Sequence, residues 1–128
     1  MDELNERLAR LEPFKTKAKI EIDADPYLRD IIERNLEIAA QCVIDICHRL
    51  IVLENARKPE DYYEAITIMG ELGILPINVA QHLAPIAGFR NVLIHEYVGI
   101  DWDLVYQHLQ TVNELAIFSG YIQKWLAR

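Results

Sequence analysis

The segment from Asp25 to Leu53 limits the possible folds more than any other part of the sequence. Asp25 followed by Pro26 is typical of a helix N-terminus, because aspartate caps free backbone N–H groups and proline suits the first helical turn. The residues that follow contain no further glycine or proline and are apolar around most of a helical circumference. They predict a long helix at the centre of the protein. Polar positions within it, such as Glu37 and Asp45, exclude a lipid-facing membrane span.

Residues 2–21 are an otherwise charged segment with a single apolar stripe. The stripe has the spacing of a helix face and consists of Leu4, Leu8, Leu11 and Phe14. Pro13 is expected to bend or interrupt this helix. Because an apolar stripe needs a covering surface, we expect it to add contact area between two copies of the chain.

Prolines and glycines divide the chain after the central helix. The acidic residues after Pro59 predict a helix that stops at Gly73. A further helical segment is expected from Pro76 onward, with a break or kink near Pro85 and Gly88.

The residues after this break predict two more helices. The first continues to about Tyr97 and ends at Gly99, and Asp101 caps the second. The expected buried side of the last helix comprises Leu104, Val105, Leu109, Val112, Leu115, Ala116, Phe118 and Ile122. Strand-like alternation of apolar and polar residues is absent from the sequence. The predicted fold is all-α, an up-and-down bundle of about four or five helices in one domain over residues 1–128.

The charge balance restricts how this chain could bind nucleic acid. Thirteen Lys and Arg against 20 Asp and Glu give a net charge of −7, which argues against non-specific binding along phosphate backbones. A small local anion site remains compatible with this balance. Cys42 and Cys47 lie about 140° apart on one helix, so they are expected to be buried thiols in a reducing cytosol. The N-terminus has no apolar signal-peptide region, and we expect a cytoplasmic protein with no cofactor or metal.

The segment RNVLIHEY, residues 90–97, places chemically active side chains in an apolar context. On a helix, Arg90 and Tyr97 lie nearly on one line and Asn91 and His95 on another. Arg90 and His95 are then about 140° apart and would not converge on one phosphate within a single chain. Two copies facing each other could bring Arg90 of one and His95 of the other together, so the sequence favours a homodimer with a shared cleft.

These residue types can hold a phosphate and move a proton. His95 can transfer a proton near neutral pH, and the planar guanidinium of Arg90 can bind phosphate oxygens. Asn91 is expected to position the substrate or His95. Without further information, however, polar residues on an amphipathic helix most often form a solvated face, and Tyr97 fits an interfacial aromatic equally well.

RNVLIHEY resembles the RX4HXY motif of HepT toxins in the HEPN superfamily. Other segments similar to that family are residues 33–36 (ERNL), residues 43–48 (VIDICH), Tyr63, residues 73–75 (GIL) and residues 88–90 (GFR). The resemblance implies a type II toxin that acts as a metal-independent endoribonuclease, with Arg90 and His95 as the catalytic pair. It also implies a minimal-nucleotidyltransferase (MNT) antitoxin that transfers AMP to Tyr97 and thereby inactivates the toxin.

Asp45 and His48 are the remaining candidates for the site. Asp45 lies in the apolar central helix three residues before His48 and four before Arg49, so we expect a partly buried carboxylate that one of these residues satisfies. The alternative is that Asp45 and His48 support the cleft from a second layer. His82 and His108 have no partners at metal-ligand spacing and are expected to be surface or packing residues.

Two other functional classes stay open at this stage. A HEPN-like chain could bind nucleotide or RNA without cleaving it, or serve as the structural subunit of a nucleotidyltransferase complex. The sequence does not identify the RNA, and tRNA and mRNA are both compatible with it.

Overall fold

The computed structural model describes residues 1–17, 19–95, 106, 109 and 112–128, and gives the helical backbone alone for residue 19 and residues 91–95. Within this part the helices are α1 (Asp2–Leu11), a short 3-10 turn (Glu12–Phe14), α2 (Lys19–Asp23), α3 (Pro26–Leu53), α4 (Tyr62–Glu71), α5 (Ile77–Leu83), α6 (Ile86–His95) and α7 (Val112–Leu126). These residues contain no strand, so the all-α prediction is confirmed. The helices outnumber the predicted four or five, because the chain also forms the short α2 and breaks between α5 and α6.

Helix α3 begins and ends where the sequence predicts. The Asp25 carboxylate accepts hydrogen bonds from the backbone N–H groups of Tyr27 and Leu28, at 3.0 and 3.4 Å. At the other end Asn55 adopts a left-handed conformation with φ of 53°, and the Ala56 N–H donates to the Ile51 carbonyl at 2.9 Å. This is the Schellman arrangement, in which a left-handed residue lets the chain turn back and satisfy a free carbonyl of the last turn.

Helix α3 lies at the centre of the fold and contacts α1, α2, α4 and α6. Its buried positions are Ile32, Asn35, Leu36, Ala39, Ala40, Val43, Ile44, Cys47, Leu50 and Ile51. They join the buried residues of the other helices in one hydrophobic cluster. None of the helices in the described part is long and apolar enough to cross a membrane.

The apolar stripe of α1 belongs to the core of its own chain. Leu4, Leu8 and Leu11 are only 0, 7 and 0% exposed, and α1 packs on α3 and α7. The expectation that this stripe offers surface to a second copy is therefore wrong, because helices of the same chain already cover it. The helix ends at Leu11, two residues before Pro13, and the 3-10 turn follows.

Helix α4 starts later than predicted. Its N-cap is Asp61, whose carboxylate accepts from the Glu64 N–H at 2.8 Å, so the helix begins three residues beyond Pro59. It ends before Gly73, which has the positive φ of 74° expected of a residue that stops a helix.

The break between α5 and α6 occurs at Pro85 alone. Gly88 lies inside α6, so the prediction of a break there is wrong. Proline removes a backbone donor and its ring collides with the preceding turn, whereas a glycine merely weakens a helix that tertiary packing can stabilise.

The buried side predicted for the C-terminal segment is confirmed on α7 and at Leu109, which precedes α7, with one exception among the described residues. The confirmed positions are Leu109, Val112, Leu115, Phe118 and Ile122, each no more than 1% exposed. Ala116 is exposed, which corrects its assignment to the core. Gly99, Asp101, Leu104, Val105 and His108 lie outside the described residues.

Leu11→Ala tests whether the α1 stripe is core or interface. We expect a loss of about 2–5 kcal/mol in the free energy of unfolding, because the change leaves a cavity between α1 and its covering helices. Chemical denaturation should give this loss at every protein concentration. Ile20→Ala is the control, since Ile20 is 77% exposed and its loss should cost under about 0.5 kcal/mol. A loss that appeared only at concentrations where the chain self-associates would contradict the intramolecular role.

Candidate functional site

Arg90 is held at the surface of the core by the packing of α6. This helix contacts α3 and α4 and buries Ile86, Ala87 and Phe89, which leaves Arg90 half-buried beside them. The guanidinium carbon of Arg90 lies over the ring of Tyr62, 5.6 Å from the ring centroid. A cation in this position is attracted by the electron-rich ring face, and the contact restrains a long side chain that would otherwise be mobile.

Tyr62 connects Arg90 to the central helix. It is the first residue of α4, and its ring meets the His48 ring edge-on, with the centroids 5.4 Å apart and the planes at 62°. Edge-to-face pairs at this distance are a favourable aromatic geometry. The chain therefore forms a row of three side chains, His48, Tyr62 and Arg90, which we call the aromatic row. His48 belongs to α3, Tyr62 to α4 and Arg90 to α6.

Tyr62 is the member of the aromatic row that the sequence reasoning missed. The adjacent Tyr63, which belongs to the family resemblance, is 49% exposed and lines a separate depression with Thr67 and Gln81. The Asp61 cap identifies Tyr62 as the first residue of α4 but gives no information about the partners of its ring. Its meeting with Arg90 depends on tertiary packing and has no local signal.

A cavity of about 580 Å³ opens beside the aromatic row. It is lined by His48, Ile51, Val52, Asn55, Ala56, Lys58, Pro59, Glu60, Asp61 and Tyr62. Aliphatic groups and two aromatic rings form most of its wall, and the polar groups are the Asn55 amide, the Lys58 ammonium group and the carboxylates of Glu60 and Asp61. A cavity of this size and composition suits a small organic ligand or one unit of a polymer.

Asp45 does not have the surroundings that the sequence suggested. It is exposed, and its carboxylate accepts a hydrogen bond from the Gln41 side-chain amide at 2.7 Å. The expectation of a partly buried carboxylate paired with His48 or Arg49 is therefore wrong. The partner lies one turn earlier in α3 rather than one turn later, and both positions are equally close on a helix.

The other motif residues are placed only by the backbone. Helix α6 extends to His95, so Arg90, Asn91 and His95 share one helix as assumed. The angle of about 140° between Arg90 and His95 follows from this helical spacing. Tyr97 lies outside the described residues.

Neither thiol has the properties of a nucleophile. Cys47 is fully buried, and burial raises its pKa to about 12. Burial also raises the pKa of the half-buried Cys42, with smaller contributions from Glu3 and Asp45. Both thiols are therefore protonated near neutral pH, as expected for small apolar packing residues.

In the described part of the chain, no three His, Cys, Asp or Glu side chains form a cluster that could hold a metal ion. His82 is 71% exposed, as expected for a surface residue. It nevertheless has a partner that sequence spacing could not reveal, since its Nε2 lies 2.9 Å from a carboxylate oxygen of Glu114 on α7.

Residues 4–122 match the family described as HepT-like, ribonuclease HepT-like. The chain belongs to this family. Among its relatives, a tRNA nuclease HepT of Aphanizomenon flos-aquae is 34% identical, over 82% of this chain and 76% of the relative. A putative RNase of Archaeoglobus fulgidus is 31% identical over 88 and 77%, and an mRNA nuclease HepT of Shewanella oneidensis is 22% identical over 77 and 72%.

Solved structures share the fold. One is the tri-AMPylated HEPN toxin of Shewanella oneidensis in complex with MNT antitoxin, with a TM-score of 0.84, 18% identity and coverage of 96% of this chain and 92% of that chain. A chain of a toxin–antitoxin structure with AMP-PNP gives a TM-score of 0.81 at 18% identity, over 99 and 94%. The resemblance to the HEPN fold is confirmed.

The contact between Arg90 and Tyr62 can be measured with a double-mutant cycle. We expect Arg90→Met and Tyr62→Leu to be non-additive by about 0.5–1 kcal/mol in the free energy of unfolding, the range of a partly exposed cation–π pair. Denaturant unfolding of the four proteins gives the coupling. The control replaces Arg90→Met with Arg10→Met, since Arg10 lies on α1 and pairs with Glu6. Additivity in the Arg90 cycle would show that Tyr62 does not restrain the guanidinium.

Proposed function

We propose that this chain is the toxin of a type II toxin–antitoxin pair and that it cleaves RNA in the cytoplasm. The observation that carries the proposal is the position of Arg90, a motif residue held half-buried on the ring of Tyr62 in a chain of the HepT-like family. The nuclease names of three relatives support the same activity. Both tRNA and mRNA occur among those names, so the proposal extends to RNA as a class.

Arg90 and His95 would divide the reaction between them. Attack of the ribose 2′-hydroxyl places negative charge on the non-bridging phosphate oxygens, and the fixed guanidinium of Arg90 would stabilise that charge. His95 would transfer a proton from the 2′-hydroxyl or to the departing 5′-oxygen. Asn91 would orient the phosphate or the imidazole. Charge stabilisation and proton transfer are both supplied by side chains, so the proposed reaction requires no metal ion.

The proposed active site needs two copies of the chain. Arg90 and His95 are five residues apart on α6, about 140° around the helix axis, so one helix is not expected to direct both groups at a single phosphate. Two α6 helices related by a two-fold axis would pair Arg90 of one copy with His95 of the other and create two equivalent sites. His48 would support this cleft through Tyr62, whereas the exposed Asp45 would have no part in it.

Arg90→Ala and His95→Ala should each slow cleavage of RNA by about 10²–10⁴-fold, because each removes one half of the proposed chemistry. Single-turnover cleavage of a labelled RNA measures this effect. Arg10→Ala removes an exposed arginine from α1 and should cleave at the wild-type rate. A matched 2′-deoxy substrate should remain intact with every protein. Wild-type rates for either motif variant, or cleavage of the deoxy substrate, would contradict the assignment.

Mixing the two inactive variants tests whether the site is shared. A heterodimer of Arg90→Ala and His95→Ala has one site with both groups and one site with neither, so an equal mixture should recover about a quarter of wild-type activity. If both groups acted within one chain, the mixture would stay inactive. The same result would follow if the chain were a binding module without nuclease activity, but then the wild-type protein would also be inactive.

We further propose that an MNT-type antitoxin silences the toxin by transferring AMP to Tyr97. The solved tri-AMPylated HEPN toxin supports modification as a mode of control in proteins of this fold. Tyr97 lies two residues beyond His95, so AMP attached there would bring phosphate charge to Arg90 and block the path of RNA.

Tyr97→Phe should remain toxic in the presence of its antitoxin and should gain no mass. Intact mass spectrometry of the chain co-expressed with its antitoxin is the measurement, and the wild-type chain should gain multiples of one AMP unit. Tyr63→Phe serves as the control, because Tyr63 is an exposed tyrosine outside the motif and its loss should leave the increments unchanged. A Tyr97→Phe chain that still gained AMP would place the acceptor elsewhere.

A further inference from the structure

The cavity beside the aromatic row has no role in the chemistry of Arg90 and His95. Tyr62 belongs to both features, since its ring lines the cavity and also lies beneath the guanidinium of Arg90. A ligand that filled the cavity and carried a phosphate could therefore reach Arg90 across a single side chain. Nucleotides carry both a flat aromatic ring and a phosphate.

We propose that this cavity binds a nucleobase and that the phosphate of the same nucleotide contacts Arg90. The proposal rests on the proposed function and identifies the part of the substrate that the site recognises beyond its phosphate. Nucleobases stack on aromatic side chains and on apolar surfaces, and Tyr62, His48, Ile51, Val52 and Pro59 provide such surfaces. The amide of Asn55 can donate to and accept from a base edge.

The backbone that forms the cavity is fixed in advance of binding. The left-handed Asn55 turns the chain at the end of α3, and the Asp61 cap fixes the start of α4. Between them, the Arg57 guanidinium lies 2.6 Å from a carboxylate oxygen of Glu64 and 2.7 Å from one of Glu71, which ties the connecting loop to α4. A preformed cavity lowers the entropy cost of binding a small ligand.

Two sources could supply this nucleotide. One is the RNA unit next to the cleaved bond, and the other is AMP attached to the motif tyrosine. Both present the same chemistry, a base joined through ribose to a phosphate. Free 5′-AMP is therefore the direct probe of the cavity, and its binding requires neither cleavage nor modification.

The test compares 5′-AMP with ribose 5-phosphate on the full chain by titration calorimetry and by NMR of the histidine rings. We expect 5′-AMP to bind at least about 5-fold more tightly, because base–aromatic stacking has this effect or more. The His48 ring signals should shift with 5′-AMP and remain unchanged with ribose 5-phosphate. Equal affinity for the two ligands, or a His48 ring that 5′-AMP leaves unchanged, would overturn the proposal.

Variants of Tyr62 separate stacking from an indirect effect through Arg90. Tyr62→Leu should weaken 5′-AMP by about 5- to 100-fold and ribose 5-phosphate far less, since only the base stacks on the ring. Tyr62→Phe keeps the ring and should retain wild-type affinity. Tyr63→Leu changes the adjacent residue outside the cavity and should also bind normally. If Tyr62→Leu lowered the affinities for 5′-AMP and ribose 5-phosphate by the same factor, Tyr62 would act only by positioning Arg90. The base site would then be refuted.

The RNA and the attached AMP are distinguished in the same preparation. If the RNA base occupies the cavity, 5′-AMP competes with RNA and Tyr62→Leu raises the KM for cleavage more than it lowers kcat. If attached AMP occupies it, the modified chain no longer binds free 5′-AMP, while Tyr62→Leu affects RNA cleavage only through Arg90, as a lower kcat with no higher KM. Binding of 5′-AMP by a chain that cleaves no RNA would refute the nuclease proposal and retain the cavity site. An active nuclease that bound 5′-AMP no better than ribose 5-phosphate would refute the cavity site and retain the nuclease proposal.

Discussion

The burial of α3 is the constraint on which the rest of the structure depends. This helix contacts α1, α2, α4 and α6, and ten of its residues are buried. Asp25 fixes where it begins and Asn55 where it ends, so its length and register are set by local interactions. The length and register of α3 therefore position the helices that pack on it. The aromatic row is one result, because His48 of α3 contacts Tyr62 of α4, and Tyr62 contacts Arg90 of α6.

The sequence could predict those helix ends that are set by residues at the end itself. The limits of α3 and the break at Pro85 are of this kind, since capping and the missing proline N–H act within a few residues. The start of α4 was misplaced because Pro59 and Asp61 are both good start signals. The structure uses Asp61, and Arg57 holds the intervening loop against Glu64 and Glu71. That choice rests on contacts across the loop and not on its composition.

The residues of the site likewise fall into those that the sequence could identify and those that it could not. The motif residues on α6 could be selected because their chemistry and spacing are visible in the sequence. Tyr62 could not, because its ring meets Arg90 only after α4 and α6 have packed on α3. The error at Asp45 has a related origin, since a carboxylate in the middle of a helix can pair with residues one turn before or after it. Both pairings are compatible with the sequence, and in the structure Asp45 accepts a hydrogen bond from Gln41.

The net charge of −7 determines what kind of RNA binding this surface can support. A chain with this charge repels a polyanion at long range, and the repulsion is screened beyond about 8 Å at physiological ionic strength. Affinity must therefore come from contacts made at short distance, where a single well-placed guanidinium and an aromatic surface are effective. Arg90 alone would bind any phosphate equally. A base-binding cavity beside it would provide both the missing affinity and a means to discriminate among RNA sequences, which a purely electrostatic site cannot do.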